Sequence, residues 1–93
     1  MEDDNMKSFD YIKEQIELLD NTPKLMKNAL NNENISMFFE FGLNGQRQSN
    51  YCEELLQQNE ESLTSDEYDY LVKLHKEKVD MIEKVSNPMK LYS

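Results

Sequence analysis

Apolar residues recur every three or four positions along most of this chain, and that spacing predicts helices. Met6, Phe9, Ile12, Ile16 and Leu19 make one face of a first helix, with Lys7, Lys13, Glu14 and Glu17 off it. Asp20-Asn21-Thr22-Pro23 ends that helix. Thr22 is the expected N-cap and Pro23 the expected first residue of a short second helix, whose stripe is Leu25, Met26, Ala29 and Leu30. The asparagine-rich run Asn31-Asn32-Glu33-Asn34 is a break.

The most apolar segment, Ile35 to Leu43, contains three phenylalanines. Periodicity alone allows a strand there. A helix is preferred, because no second convincing strand exists to pair with it, and Ile35, Phe38, Phe39 and Leu43 are then expected to face inward. Gly45 is read as its left-handed C-terminal cap. A fourth helix is expected from about Gln46 to Glu60, with Tyr51, Cys52, Leu55 and Leu56 as its stripe and Asn59 continuing the same face in polar form. Glu61-Ser62-Leu63 is a turn.

Thr64-Ser65-Asp66-Glu67 has the spacing of a capping box, threonine to the N3 amide and glutamate back to the cap. The fifth and longest helix then runs from Ser65 to about Val85 with Tyr68, Leu71, Val72, His75, Val79, Ile82 and Val85 on one face, until Asn87-Pro88 stops it. Leu91 and Tyr92 offer a fold-back in the tail. The expectation is an all-α fold, a compact bundle of four to five helices in a single domain over residues 1–93, frayed at 1–5 and 88–93.

Charge changes the picture more than size does. The 93 residues carry a formal net charge of −9. Seven acids (Glu53, Glu54, Glu60, Glu61, Asp66, Glu67 and Asp69) fall between Gln48 and Val72, and no Lys or Arg interrupts them between Arg47 and Lys73. A charged fraction of 31% and a mean hydropathy of −0.86 make disorder a competing reading, which the regular apolar spacing opposes. Direct binding to nucleic acid or to an anionic membrane surface is disfavoured, since both need basic surface. An acidic protein suits a basic partner, whose approach the field accelerates. The blander alternative is that the acids are a solvated face that keeps a small protein soluble. The N-terminus lacks the basic start and apolar run of a signal peptide, and a lone cysteine forms no internal disulfide, so a reducing, cytoplasmic setting is expected.

Chemistry offers little. One Cys and one His do not make a zinc site, and neither a calcium loop nor a glycine-rich phosphate loop is written in the sequence. Cys52 and His75 are the available nucleophile–base pair, on inward faces of neighbouring predicted helices, and a buried thiol beside a half-buried histidine is the plainer account of both. The adjacent pairs Glu53/Glu54 and Glu60/Glu61 point about 100° apart on a helix and do not converge on one proton. No enzyme, metal or cofactor is expected. What remains is a binding surface, with Glu53, Glu54, Glu60, Glu61, Asp66, Glu67, Asp69 and the exposed Tyr70 as its candidate residues.

Gly45, Glu53-Glu54-Leu55-Leu56 and Leu63-Thr64-Ser65-Asp66-Glu67-Tyr68-Asp69-Tyr70-Leu71 follow a pattern in which an apolar helix, a glycine and an acidic helix lead through a short turn into Leu-Ser-x-Glu-Glu-Tyr-x-x-Leu. In this the stretch from Ile35 to Leu71 resembles the small helical immunity proteins of bacterial polymorphic-toxin systems, the MafI-like type. The chain departs from the pattern at Gln46, where an acid is usual, and in a short interval between Glu53 and Leu63. The resemblance implies an immunity protein that binds and neutralises a cognate toxin domain, often a nuclease. Two further classes share the composition: a phage-encoded DNA mimic that inhibits a restriction, CRISPR or other DNA-binding defence protein, and a homodimeric helical adaptor pairing through Leu74 and Met81.

Overall fold

The computed structural model describes residues 7–91, with side chains described as far as residue 86. Every regular element among these residues is helical. Helix α1 spans Phe9–Glu17, a 3-10 turn covers Leu18–Asp20, α2 spans Asn21–Asn31, α3 spans Ile35–Gln58, and α4 spans Ser65–Leu91. The expected frayed arm at 1–5, Met6 of the first stripe and Tyr92 of the tail lie outside the described residues.

Three helical rods result, rather than a bundle of four or five separate helices. The first rod is α1 and α2 joined through the single 3-10 turn; α3 and α4 are the other two. The structure is also less compact than expected. Its radius of gyration is 15.1 Å and its extents are 46 × 25 × 19 Å, against a radius of about 12 Å for a compact chain of this size. The elongation follows from the 24 residues of α3 and the 27 of α4.

Local chemistry sets most of the ends. Ser8 caps α1, its Oγ accepting the Tyr11 amide at 3.1 Å. Thr22 is not the cap of α2: the N-cap is Asp20, which makes no side-chain cap bond, and Thr22 and Pro23 are both buried inside the first rod. The α2–α3 turn is a Schellman closure, with the Glu33 amide on the Leu30 carbonyl at 3.0 Å and the Asn34 amide on the Ala29 carbonyl at 2.8 Å. Glu33 holds the left-handed position of that motif, at φ 58°. Asn34 then caps α3, accepting the Met37 amide at 3.2 Å. The capping box opens α4 as expected: the Thr64 amide donates to Glu67 Oε1 at 3.0 Å, and the Glu67 amide to Thr64 Oγ1 at 3.1 Å. At the other end, the α4 backbone continues through Asn87-Pro88 to Leu91 instead of stopping. A proline inside a helix forfeits one backbone bond there without always ending it.

The largest correction concerns Gly45. It is not a C-terminal cap, since no described glycine has positive φ. It lies in mid-helix, where α3 crosses α2, and the place a Cβ would occupy is already filled by the side chain of Thr22. Residues 35–43 and 46–58 are therefore one continuous helix.

The core has two parts, both strung along α3. One joins Ile12, Ile16 and Leu19 of the first rod to Cys52, Leu55 and Leu56 of α3 and Leu71 of α4. The other joins Met26 and Ala29 of α2 to Phe38 of α3 and Val85 of α4. Polar links fix the rods to one another. Gln48 Nε2 donates to the Gln15 carbonyl at 2.9 Å, and Lys78 Nζ meets Asp20 Oδ1 at 2.8 Å. Asn59 is buried at the end of α3; its Oδ1 accepts the Lys7 amide at 2.9 Å and its Nδ2 donates to the Leu55 carbonyl at 2.8 Å.

Candidate functional site

The α3–α4 connection gathers the acidic residues at one end of the rods. Glu53 and Glu54 are exposed in the last turns of α3, Glu60 and Glu61 are exposed in the connection, and Asp66 and Asp69 are exposed in the first turns of α4. The two ion pairs among the described residues, Lys13–Glu17 and Lys78–Asp20, involve none of them. Among the described residues no ion pair neutralises them, though Arg47 shares a concavity with Glu53 and Glu54, and Asp66 and Glu67 sit beside the positive N-terminal end of α4.

Glu67 differs from its neighbours. It is half-buried and its carboxylate is spent on the Thr64 amide, so its first role is to start α4. Tyr70 is 46% exposed, as expected from its place off the stripe. One side of its ring rests near Phe9, with the centroids 5.8 Å apart and the planes at 37°. That contact holds Tyr70 in place and leaves its outer surface free to meet a partner.

The Cys52–His75 pair is not formed. Cys52 is fully buried and its sulfur meets Gln48 Nε2 at 3.9 Å. Burial pushes its thiol up from 9.0 to about 11, against a smaller opposing pull from the Gln48 hydrogen bond. A thiol held in that state supplies almost no thiolate near neutrality. His75 instead pairs with Ser49, Nε2 to Oγ at 2.9 Å, bridging α3 and α4. The sequence reading missed this pair. The signal was present, since Ser49 lies one turn before Cys52 and so on nearly the same side of α3. Ser49 sits in mid-helix, where the surrounding amides are committed to helix bonds, so the pair reads as a polar clasp between rods rather than a nucleophile beside an oxyanion site. A second clasp joins Tyr11 and Tyr51, whose hydroxyls are 2.7 Å apart; that hydrogen bond is the main cause raising the Tyr51 pKa above its ordinary 10.0, with burial second.

The second feature missed from sequence is apolar. Of the four residues expected to face inward from the start of α3, Phe38 alone is buried. Ile35 is 45% exposed, Phe39 57% and Leu43 50%. The segment is apolar on two faces, and a thin three-rod fold buries one of them. Phe39 and Leu43 edge a groove of about 560 Å³ between α3 and α4, floored by Met26 and Phe38 and walled on the α4 side by Val79 and Ile82. A shallower concavity continues along α3, lined by Arg47, Asn50, Tyr51, Glu53, Glu54 and Gln57; Asn50 belongs to both.

On α4 the stripe also shifts. Val72 is exposed, while Leu74 packs against the core and so is not the leftover apolar position that a dimeric adaptor would use; Met81 does stand exposed.

Among the described residues no group of three or more His, Cys, Asp or Glu side chains is placed to hold a metal ion, and no helix is long and apolar enough to cross a membrane. No protein-family model, curated protein or solved structure matches the chain.

Proposed function

We propose that this protein is a non-catalytic, acidic inhibitory binding protein: an immunity protein that binds and neutralises a basic bacterial toxin domain in the cytoplasm. The observation that carries this reading is the exposed acidic end of the α3–α4 hairpin, where no described cation pairs with Glu53, Glu54, Glu60, Glu61, Asp66 or Asp69. A nuclease grips phosphates with basic side chains, and a carboxylate surface is the natural complement of such a cleft. Charge sets the rate of encounter and the choice of partner, and Tyr70 supplies contact area at the edge of the acidic surface.

The test is capture from native cell lysate at low and high salt, with the bound proteins identified by mass. Recovery of one basic toxin or nuclease domain near 1:1, associating more slowly at high salt, supports the reading. Recovery of a DNA-binding defence protein that competitor DNA displaces would replace it with the phage DNA mimic. Recovery of only the protein itself would replace it with the homodimeric adaptor. A charge-reversal variant sharpens the test: Glu60, Glu61, Asp66 and Asp69 changed together to Lys should slow association and leave the fold intact. Glu67 stays out of that set because it caps α4.

A further inference from the structure

The apolar groove and Glu53 lie on one side of the same helix, with Glu54 about 100° further round it. At about 100° per residue, Ile35, Phe39, Gln46, Asn50, Glu53 and Gln57 fall within roughly 60° of one another around the α3 axis, and Leu43 lies just beside them. Travelling along that side, the surface is apolar over Ile35, Phe39 and Leu43 and then polar over Gln46, Asn50, Glu53 and Gln57. The groove and the concavity that continues it are lined by three carboxylates, Glu83, Glu53 and Glu54, against one guanidinium, Arg47.

From this juxtaposition we infer that the channel is the seat of an amphipathic helix of the basic partner, with its apolar stripe on Phe39 and Leu43 and its lysine- or arginine-bearing end over Glu53 and Glu54. The inference rests on the basic-partner reading above and specifies the shape and chemistry of the partner's contacting segment. Two neighbouring helices wall the apolar groove, α3 alone lines the acidic concavity beyond it, and Phe39 and Leu43 stand one turn apart, about 6 Å, which is the repeat of a helical stripe. Gly42 lines the seat beside Met26, whose Cε a Cβ on the glycine would meet at 3.4 Å. Charge selects the occupant. A second copy of this chain would bring another net charge of −9 to the same carboxylates, whereas a cationic helix satisfies both halves of the channel at once.

The probe is a labelled synthetic helix with leucines at three- and four-residue spacing over one half and lysines over the other, titrated by anisotropy onto the full chain. The wild type should bind it, and a probe carrying glutamates in place of the lysines should not bind. Phe39→Ser with Leu43→Ser should weaken binding about tenfold or more while the helical fold is retained, as these side chains are 57% and 50% exposed. Gly42→Gln, which puts a helix former and a side chain at the groove lining, should weaken binding likewise while the fold is retained. Probe affinity unchanged in these variants would overturn the inference. So would a wild type that sediments as a dimer and dissociates on Leu43→Ser, because a second copy would then be the occupant. Silent groove variants alongside loss of native partner capture on charge reversal of Glu60, Glu61, Asp66 and Asp69 would remove this inference alone. Capture unaffected by that charge reversal would remove the basic-partner reading, and the cationic occupant with it.

Discussion

Gly45 of α3 and Thr22 of α2 stand so close that a Cβ on the glycine would lie 2.5 Å from the threonine Cγ2 and 2.8 Å from its Oγ1. Alanine would otherwise favour a mid-helix position by about 1 kcal/mol. Here the overlap dominates, since overpacking a filled contact costs about 1–3 kcal/mol. Gly45→Ala should therefore lower the melting temperature, and adding Thr22→Ala should recover part of the loss, a coupling that a double-mutant cycle measures. Gly42 is the control. A Cβ there meets Met26 Cε at 3.4 Å, a contact a flexible side chain accommodates. Gly42→Ala should raise stability by about 1 kcal/mol. Equal effects at the two glycines would contradict the packing account.

Glu33 occupies the left-handed position of the α2–α3 turn at φ 58°. An L side chain costs about 1–2 kcal/mol there that glycine does not. Glu33→Gly should stabilise the fold by about 0.5–1 kcal/mol in urea denaturation, after the larger unfolded-state entropy of glycine is subtracted. Destabilisation would mean that the Glu33 side chain contributes more than its backbone costs.

Asn59 is buried and ties the start of the first rod to the end of α3 through the Lys7 amide. Asn59→Ala leaves that donor without its partner, while the Leu55 carbonyl keeps the backbone amide of residue 59, at 3.0 Å in the wild type. The expected cost is about 1–3 kcal/mol. Hydrogen exchange at the Lys7 amide should accelerate more than exchange in the middle of α3. A uniform acceleration would assign the loss to the core as a whole.

Cys52 makes stability depend on alkali. Its folded-state thiol titrates near 11, above the ordinary 9.0 of an unfolded chain. Below pH 9 both states hold the proton and the contribution is complete. Between pH 9 and 11 the unfolded state releases the proton first, so stability falls as pH rises, by on the order of 2 kcal/mol in full. Tyr51, raised above 10.0, acts in the same direction. Cys52→Ala should flatten this part of the pH profile. Alkylation of the wild type at pH 8 should keep pace with global unfolding; rapid labelling of the folded protein would contradict the buried, protonated thiol.

How much of this was legible in the sequence depended on how local the cause was. The Thr64/Glu67 capping box, the face of Ile12, Ile16 and Leu19, and the inward Asn59 all follow from spacing within one or two turns, and the structure has each of them. Gly45 misled because its cause is not local. As a single-chain signal a glycine ends a helix, yet here Thr22, distant in sequence, needs the space a side chain would take. Once Gly45 no longer stops the helix, α3 becomes one rod and the fold loses its compact shape. The exposure of Phe39 and Leu43 has the same origin. Their apolar character was plain, but which of two apolar faces is buried was decided by Met26, Ala29 and Val85, which pack on the Phe38 side. The acid run was legible residue by residue, while the diversion of Glu67 to a capping role followed from the same capping-box spacing.

The continuity of α3 gives the molecule a built-in gauge. From Phe39 to Glu53 is fourteen residues of unbroken helix, about 21 Å, and close to four full turns. Distance and azimuth between the apolar and acidic ends are thus locked together, and no hinge lets one adjust to the other. A single added or lost residue between them would swing the carboxylates about 100° around the axis while altering the length by only about 1.5 Å. Selection acting on this helix would then tolerate exchange of one side chain for another far more readily than any change in their number.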